Sequence, residues 1–352
     1  METSIPPTVP QGVPPGSIGT VPHSHASLLG GIPVWMDESA RPSRQARALH
    51  EAMAQGRVPS GALYAAPFQA LRWLALHEAW SPARRDEGVQ LAYDSVFGVL
   101  AEGLGKSPWT LVSLGCGGGQ KEERFLRGCS GRPRSALVAD ISPGLALASH
   151  ERVSAWCETH AGVIDLEASP GPAPWCDALL GDAGIPRVVF FLGMLPNMDL
   201  GHAGRVLRAW TRPGDWVVAS ANLASPAECA AGLRGVLPQY DNAETRAWLS
   251  GFLEWQGIGA DRFDWTFGFE AVPAHAGSMA RVTADAVLRS DVCLTVPGHE
   301  PVRWEAGRLV RVFHSLRMSM EAASGFAAGA GLRRVHAASD AAGQEGVFLL
   351  RR

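Results

Sequence analysis

Five short apolar runs occupy the middle of the chain: TLVSLG, SALVADIS, AGVIDLE, RVVFFLGML and GDWVVASANL. Stretches with helical spacing, such as QKEERFLRG and GHAGRVLRAW, separate several of them. Continuous apolar strands alternating with helices predict a parallel sheet covered on both faces.

The flanks have a different texture. RQARALHEAMAQG, ALRWLALHEAW and VQLAYDSVFGVLAEGL carry apolar residues three and four apart, which predicts helices from about Asp37 to Leu104. After Ala224, CAAGLRGVL and ETRAWLSGFLEW are again helical in pattern. ARVTADAVLRSDVCLTV and RLVRVFHS alternate with period two, which predicts antiparallel strands with one wet face. The tail reads as a helix near Met318–Gly329, then RRVHAAS and GVFLLRR as an antiparallel pair returning to the sheet edge. Residues 1–30, rich in Pro, Gly, Ser and Thr, read as an extended or disordered arm. There is no internal repeat.

Composition narrows the function classes. The chain has 352 residues, 46% of them hydrophobic, enough for one large core or two smaller ones. A formal net charge of −3 without like-charge runs gives no nucleic-acid footprint. The six cysteines lack CxxC spacing and nearby paired histidines, so neither a metal site nor a disulfide framework is expected. No apolar run approaches the roughly eighteen residues of a membrane span. The start lacks the pattern of a signal peptide. The expectation is a cytoplasmic protein of open oligomeric state, with a small molecule as its partner.

The first apolar run breaks into LGCGGGQKE, and the second stops on Asp140. Glycines at a strand-to-helix turn let a ligand approach the backbone, and the free amides of the helix start favour electronegative groups. Asp140, closing the second strand, is placed to bind ribose hydroxyls. NAD, FAD and S-adenosylmethionine all fit that much. Two features favour S-adenosylmethionine. Asp165, in VIDLE at the end of the third strand, lies near an adenine amino group. TRPGDWVVASAN is a helix end, a turn and a fifth strand of the kind habitual in class I methyltransferases. The loop also departs from GxGxxG, with Gln120 where the third glycine or alanine would stand.

In their order, these segments resemble the ergothioneine-pathway histidine Nα-methyltransferases. LHEAWSPARRDE, LGCGGGQKEERFL, FFLGMLPNMD, RPGDWVVASANL and QYDNAETRAWLSGFL each resemble a segment of that family, and the likeness runs from about Ser60 to the end. The resemblance implies a cofactor loop of Gly115, Gly117 and Lys121, with Asp140 on the ribose and Asp165 and Leu166 flanking the adenine. It implies that Asn197 lies near the substrate's amino and carboxylate groups, that Tyr240 binds the carboxylate, and that Tyr64 helps to close the pocket.

Two departures bear on the substrate. Where the family has Thr-Glu-Val-Ser, with the glutamate on the histidine imidazole, this chain has Val312-Phe313-His314-Ser315. Trp80 stands in place of a family tyrosine. Phe313 accepts no hydrogen bond from an imidazole, so a larger or more apolar acceptor than histidine is expected to meet Trp80, Phe313 and Ser315. His314 is the residue to consider if a base is needed, and Arg317 if a carboxylate is bound.

The expected fold is α/β. A class I methyltransferase, Rossmann-like sheet is drawn from residues 89–224 and 316–352. A second, α+β substrate-binding part comes from the helical segment 31–88 and the insertion 225–315. The expected activity is N-methylation of an amino-acid-derived or peptide-like small molecule in specialised metabolism, with Asn197 and Tyr240 at the reacting amine. Free histidine, an aromatic scaffold methylated on O or C, and a non-catalytic cofactor-binding partner protein are the alternatives.

Overall fold

The structure is a computed structural model describing residues 26–29, 31–169, 171–181, 184–231, 233–274 and 276–352. Its strands are β1 (Ala26–Leu29), β2 (Ile32–Met36), β3 (Thr110–Leu114), β4 (Ser135–Asp140), β5 (Glu158–Val163), β6 (Arg187–Phe191) and β7 (Trp216–Leu223). They continue with β8 (Phe263–Val272), β9 (Met279–Leu288), β10 (Val292–Leu294), β11 (Val302–Trp304), β12 (Leu309–Met318), β13 (Arg333–Ser339) and β14 (Glu345–Arg351).

Strands β5, β4, β3, β6 and β7 lie side by side and all parallel. β14 adds antiparallel to β7, and β13 pairs antiparallel with β14. Counted along the chain, these seven strands stand in the order 3-2-1-4-5-7-6. This is a Rossmann-like sheet with a reversed last strand inserted, the class I methyltransferase fold. The apolar runs behave as expected for a sheet covered on both faces. Val112, Leu114, Leu137, Val189 and Phe191 enter one core, while Leu111, Ala136, Val138, Val188 and Phe190 enter the other.

The sheet is wider than the methyltransferase core. β12 runs parallel to β7 over two residue pairs, Arg317 with Asn222 and Met318 with Leu223. β12 then pairs antiparallel with β9, and β9 with β8. The division drawn at 315/316 thus falls inside β12. The helix Ala243–Trp255 and the segment of Met53, Val58 and Leu63 pack on this extension through Trp248, Leu249 and Phe252.

At the other edge, β2 pairs parallel with β5, and β1 pairs antiparallel with β2. The segment 31–88 therefore opens on a strand and turns helical only afterwards. Of the arm read over residues 1–30, only Ala26–Leu29 lie among the described residues, and they form β1.

Local chemistry starts the helices that frame the cleft. Asp86 caps the helix Glu87–Leu104 by accepting from the Val89 amide at 3.0 Å. Ser142 caps Pro143–Val153, with proline at the first helical position. No helix among the described residues is long and apolar enough to cross a membrane. No group of His, Cys, Asp or Glu among the described residues is arranged to hold a metal.

Candidate functional site

At the carboxyl ends of the parallel strands lies a cleft of about 380 Å³. All twelve residues singled out from the sequence line it, as does Arg317; His314 does not.

One half of the cleft is built on the glycine loop. Gly115, Gly117 and Gly119 have φ of +67°, +53° and +77°, a left-handed backbone that only glycine adopts without strain. A Cβ on Gly115 would stand 2.0 Å from the Met194 sulfur, and one on Gly117 would stand 3.1 Å from the Trp73 ring. Asp140 ties this loop to the next one. Its Oδ2 accepts from the Gly117 amide and its Oδ1 from the Ser142 amide, both at 3.0 Å. Burial raises the Asp140 pKa to about 6, against the pull of those amides.

Asp165 lies past the end of β5 rather than within it. Its Oδ2 accepts from Gln45 Nε2 at 2.7 Å and its Oδ1 from the Glu167 amide at 2.9 Å. Glu167, at the same rim, has its carboxyl raised to about 7 by desolvation and then by Asp165. Leu166 is buried beside it, and its carbonyl accepts from His202. Lys121 Nζ lies 3.8 Å from Glu345 Oε1 and 4.8 Å from the centre of the Tyr93 ring. Tyr93 in turn donates to Glu345 at 2.5 Å.

These groups fit S-adenosylmethionine. Each Asp140 oxygen spends one lone pair on an amide and keeps another for a ribose hydroxyl. Ile141, Leu145, Ile164 and Leu166 supply apolar surface for a purine. Lys121, Asp140, Asp165 and Glu167 offer charge of both signs to an amino-acid sulfonium.

The other half of the cleft is aromatic. Trp248 meets Phe313 edge-on, with ring centres 5.6 Å apart, and Tyr64 at 5.3 Å; Tyr64 meets Trp73 at 5.8 Å. Burial, with Asp140 and Glu167 nearby, raises the Tyr64 pKa and keeps its phenol protonated. Trp80 stands at the mouth, 39% exposed, and donates to Glu244 at 2.9 Å. Into this half project neutral polar groups. The Tyr240 hydroxyl and Ser315 Oγ are 3.1 Å apart, and Asn222 Nδ2 lies 3.3 Å from the first and 3.1 Å from the second. Asn197 ends a short 3-10 turn, Leu195–Asn197, which packs against β7 and β12 and also lines the cleft.

Several cleft residues carry no signal in the sequence. Trp73, Met194, Trp248, Asn222, Tyr93 and Glu345 are brought together from distant segments. His77 is one more. It stacks on Trp73 at 4.8 Å, and burial, Lys121 and Arg84 lower its pKa to about 3, so it stays neutral. His314, weighed as a base, is held away from the cleft on β12. Burial, then Arg281 and Arg311, lower its pKa to about 4.

No family model matches the chain, and no curated protein does. Among solved structures it is similar to an S-adenosylmethionine-dependent methyltransferase from Clostridium acetobutylicum ATCC 824, at 8% identity and a TM-score of 0.42 over 80% of this chain and 98% of that one. It is also similar to an amino pentose methyltransferase of calicheamicin biosynthesis from Micromonospora echinaspora, at 15% identity and a TM-score of 0.36 over 79% and 96%. A third is the Burkholderia thailandensis 1,6-didemethyltoxoflavin-N1-methyltransferase with bound 1,6-didemethyltoxoflavin and S-adenosylhomocysteine, at 15% identity and a TM-score of 0.38 over 82% and 91%.

Proposed function

We propose that this chain is an S-adenosylmethionine-dependent N-methyltransferase acting on an amino-acid-derived or peptide-like small molecule. The observation that carries the reading is the composition of one cleft. Its glycine-loop half offers Asp140, Lys121 and Asp165, and its other half offers Asn197, Tyr240 and Ser315 against an aromatic wall. S-adenosylmethionine would supply an electrophilic methyl group at the junction of the halves.

Methyl transfer is an in-line displacement, and the acceptor has to be held roughly 3–3.5 Å from the methyl carbon with water excluded. Tyr64, Trp248 and Phe313 exclude water. Asn197 and the Tyr240 hydroxyl orient the amine without adding charge. An α-amino group has a pKa of about 7.7–8, so a neutral fraction exists near neutral pH and no strong base is required. The motif likeness to the histidine Nα-methyltransferases supports the N-methyl assignment. Phe313, in the wall next to Trp248, weighs against free histidine as the acceptor.

A second reading rests on His77. His77 lines the cleft and is the candidate base for O- or C-methylation of an aromatic scaffold. Its pKa, lowered to about 3, makes it a weak proton acceptor and ranks this reading second. The deciding experiment is calorimetric titration with S-adenosylhomocysteine, followed by a methyl-release assay over amines and phenols. Saturable cofactor binding with turnover of amines supports the proposal. Turnover of phenols alone, lost in His77→Gln, moves the assignment to the second reading. Absence of S-adenosylhomocysteine binding overturns both.

A further inference from the structure

Among the described residues two arginines are buried, Arg187 and Arg317, at 3% and 2% exposure. Arg187 is paired with the Asp177 carboxylate. Arg317 has neutral partners only. Its Nη1 donates to the Leu223 carbonyl at 2.9 Å and the Gln344 carbonyl at 3.4 Å, its Nη2 donates to Gln239 Oε1 at 2.9 Å, and its Nε has no partner. Glu228, which feels the Arg317 charge, is exposed and spends an oxygen on the Ser225 amide. A buried guanidinium without an anion is costly, and a ligand that brings one recovers that cost on binding.

The place of this charge in the fold says what the ligand is. Phe313, Ser315 and Arg317 alternate along β12 and all line the cleft, so they share one face of the strand. The Arg317 Cζ lies 5.7 Å from the centre of the Tyr240 ring, next to the cluster of Tyr240 hydroxyl, Ser315 Oγ and Asn222 Nδ2. One unspent cation and two hydroxyls form a seat for a carboxylate. Phe313, Trp248 and Tyr64 continue from it as an apolar wall.

We propose that the methyl acceptor is a carboxylate with an apolar or aromatic body, its acid group held at Arg317, Tyr240 and Ser315 and its body against Phe313 and Trp248. The proposal rests on the methyltransferase reading and deepens it by naming the charge of the acceptor. Arg317 acts here as a specificity residue.

The test is calorimetric titration of the full chain, saturated with S-adenosylhomocysteine, using 3-phenylpropionate, 3-phenylpropanamide and 3-phenylpropylamine as probes. A hydrogen bond to a charged group that is made by only one probe predicts that the acid binds about tenfold or more tightly than the amide. The amine should bind weakest. Arg317→Gln should erase the preference for the acid, and Arg317→Lys should keep it. Phe313→Glu, which sets a carboxylate on the same strand face without touching Arg317, should erase it as well. S-adenosylhomocysteine affinity and melting temperature report whether each variant is folded. Equal binding of acid and amide, no binding of the acid, or a preference that survives both Arg317→Gln and Phe313→Glu overturns the proposal. If S-adenosylhomocysteine itself fails to bind, the cofactor reading falls. The acid-against-amide comparison, run without it, still decides the role of Arg317.

Discussion

Asp140 and Gly117 are joined across the ends of two neighbouring strands, the Gly117 amide donating to Asp140 Oδ2 at 3.0 Å. The same carboxylate thus shapes the glycine loop and faces the cleft. Its pKa, raised to about 6 by burial, sets a pH window. Above that value the carboxylate is ionised and accepts from a ribose; below it the proton competes. S-adenosylhomocysteine affinity should fall as pH drops through about 6, up to tenfold per unit once the proton dominates, below a smaller change near 7 where Glu167 at the same rim titrates. Asp140→Asn should bind weakly and lose that slope, which calorimetry between pH 5 and 8 would show.

Gly115→Ala should be damaging at the loop. Its positive φ and the Met194 sulfur both oppose a Cβ, since the methyl would stand 2.0 Å from that atom. A stability loss of about 1–3 kcal/mol, together with weakened S-adenosylhomocysteine binding, is expected from strain of this kind. Thermal melts with and without ligand measure both. Gly98, with open space around its missing Cβ, is the control and should change little when made alanine.

Tyr93→Phe tests the trio behind the loop. The Tyr93 hydroxyl donates to Glu345 at 2.5 Å inside the core, and Lys121 approaches the same carboxylate. Removing the donor leaves a buried carboxylate with fewer partners and should cost about 1–3 kcal/mol. Denaturant titration reads this directly. Glu345→Gln should be milder, since an amide needs no counter-charge.

Trp248→Ala probes the aromatic half. Trp248 is 2% exposed and donates its indole N–H to the Leu63 carbonyl at 3.1 Å. Truncation should cost about 3–5 kcal/mol in stability, and it should remove acceptor binding before cofactor binding.

The parts legible from the sequence are those whose signal is local. The apolar run at Leu111–Leu114, the glycine turn after it and the carboxylate at Asp140 lie within one βαβ unit, and periodicity suffices to place them. The tail pair RRVHAAS and GVFLLRR is likewise legible, because both strands carry their own pattern and only a short turn divides them. β2 is not. IPVWM is short and contains Pro33, and it is a strand only because β5 offers an open parallel edge to Val34–Met36. β8 is not legible either: FDWTFGFEAV alternates, but it follows closely on the helical pattern of ETRAWLSGFLEW, which masks its start.

The site divides in the same way. Gly115, Asp140 and Asp165 sit at strand ends that can be counted along the chain. Tyr93 meets Glu345 only because the helix Glu87–Leu104 packs on β14, and Asn222 meets Ser315 only because β12 comes to lie against β7. Arg317 is legible in the sequence only as the residue to consider if a carboxylate is bound; that it is buried among neutral partners shows only in the assembled fold.

The seam between β12 and β7 has a consequence for how such a protein can change. It is two residue pairs long, and its members Arg317 and Asn222 also line the cleft. A substitution there alters recognition and loosens the joint between the two halves of the sheet together. Tyr64 and Trp80 lie in helices outside the ladder, and Phe313 pairs with Ala284 of β9 rather than across the seam. On the proposed function, new acceptors would be reached by resculpting the wall at Tyr64, Trp80 and Phe313, while Arg317 and Asn222 would keep the acid end constant.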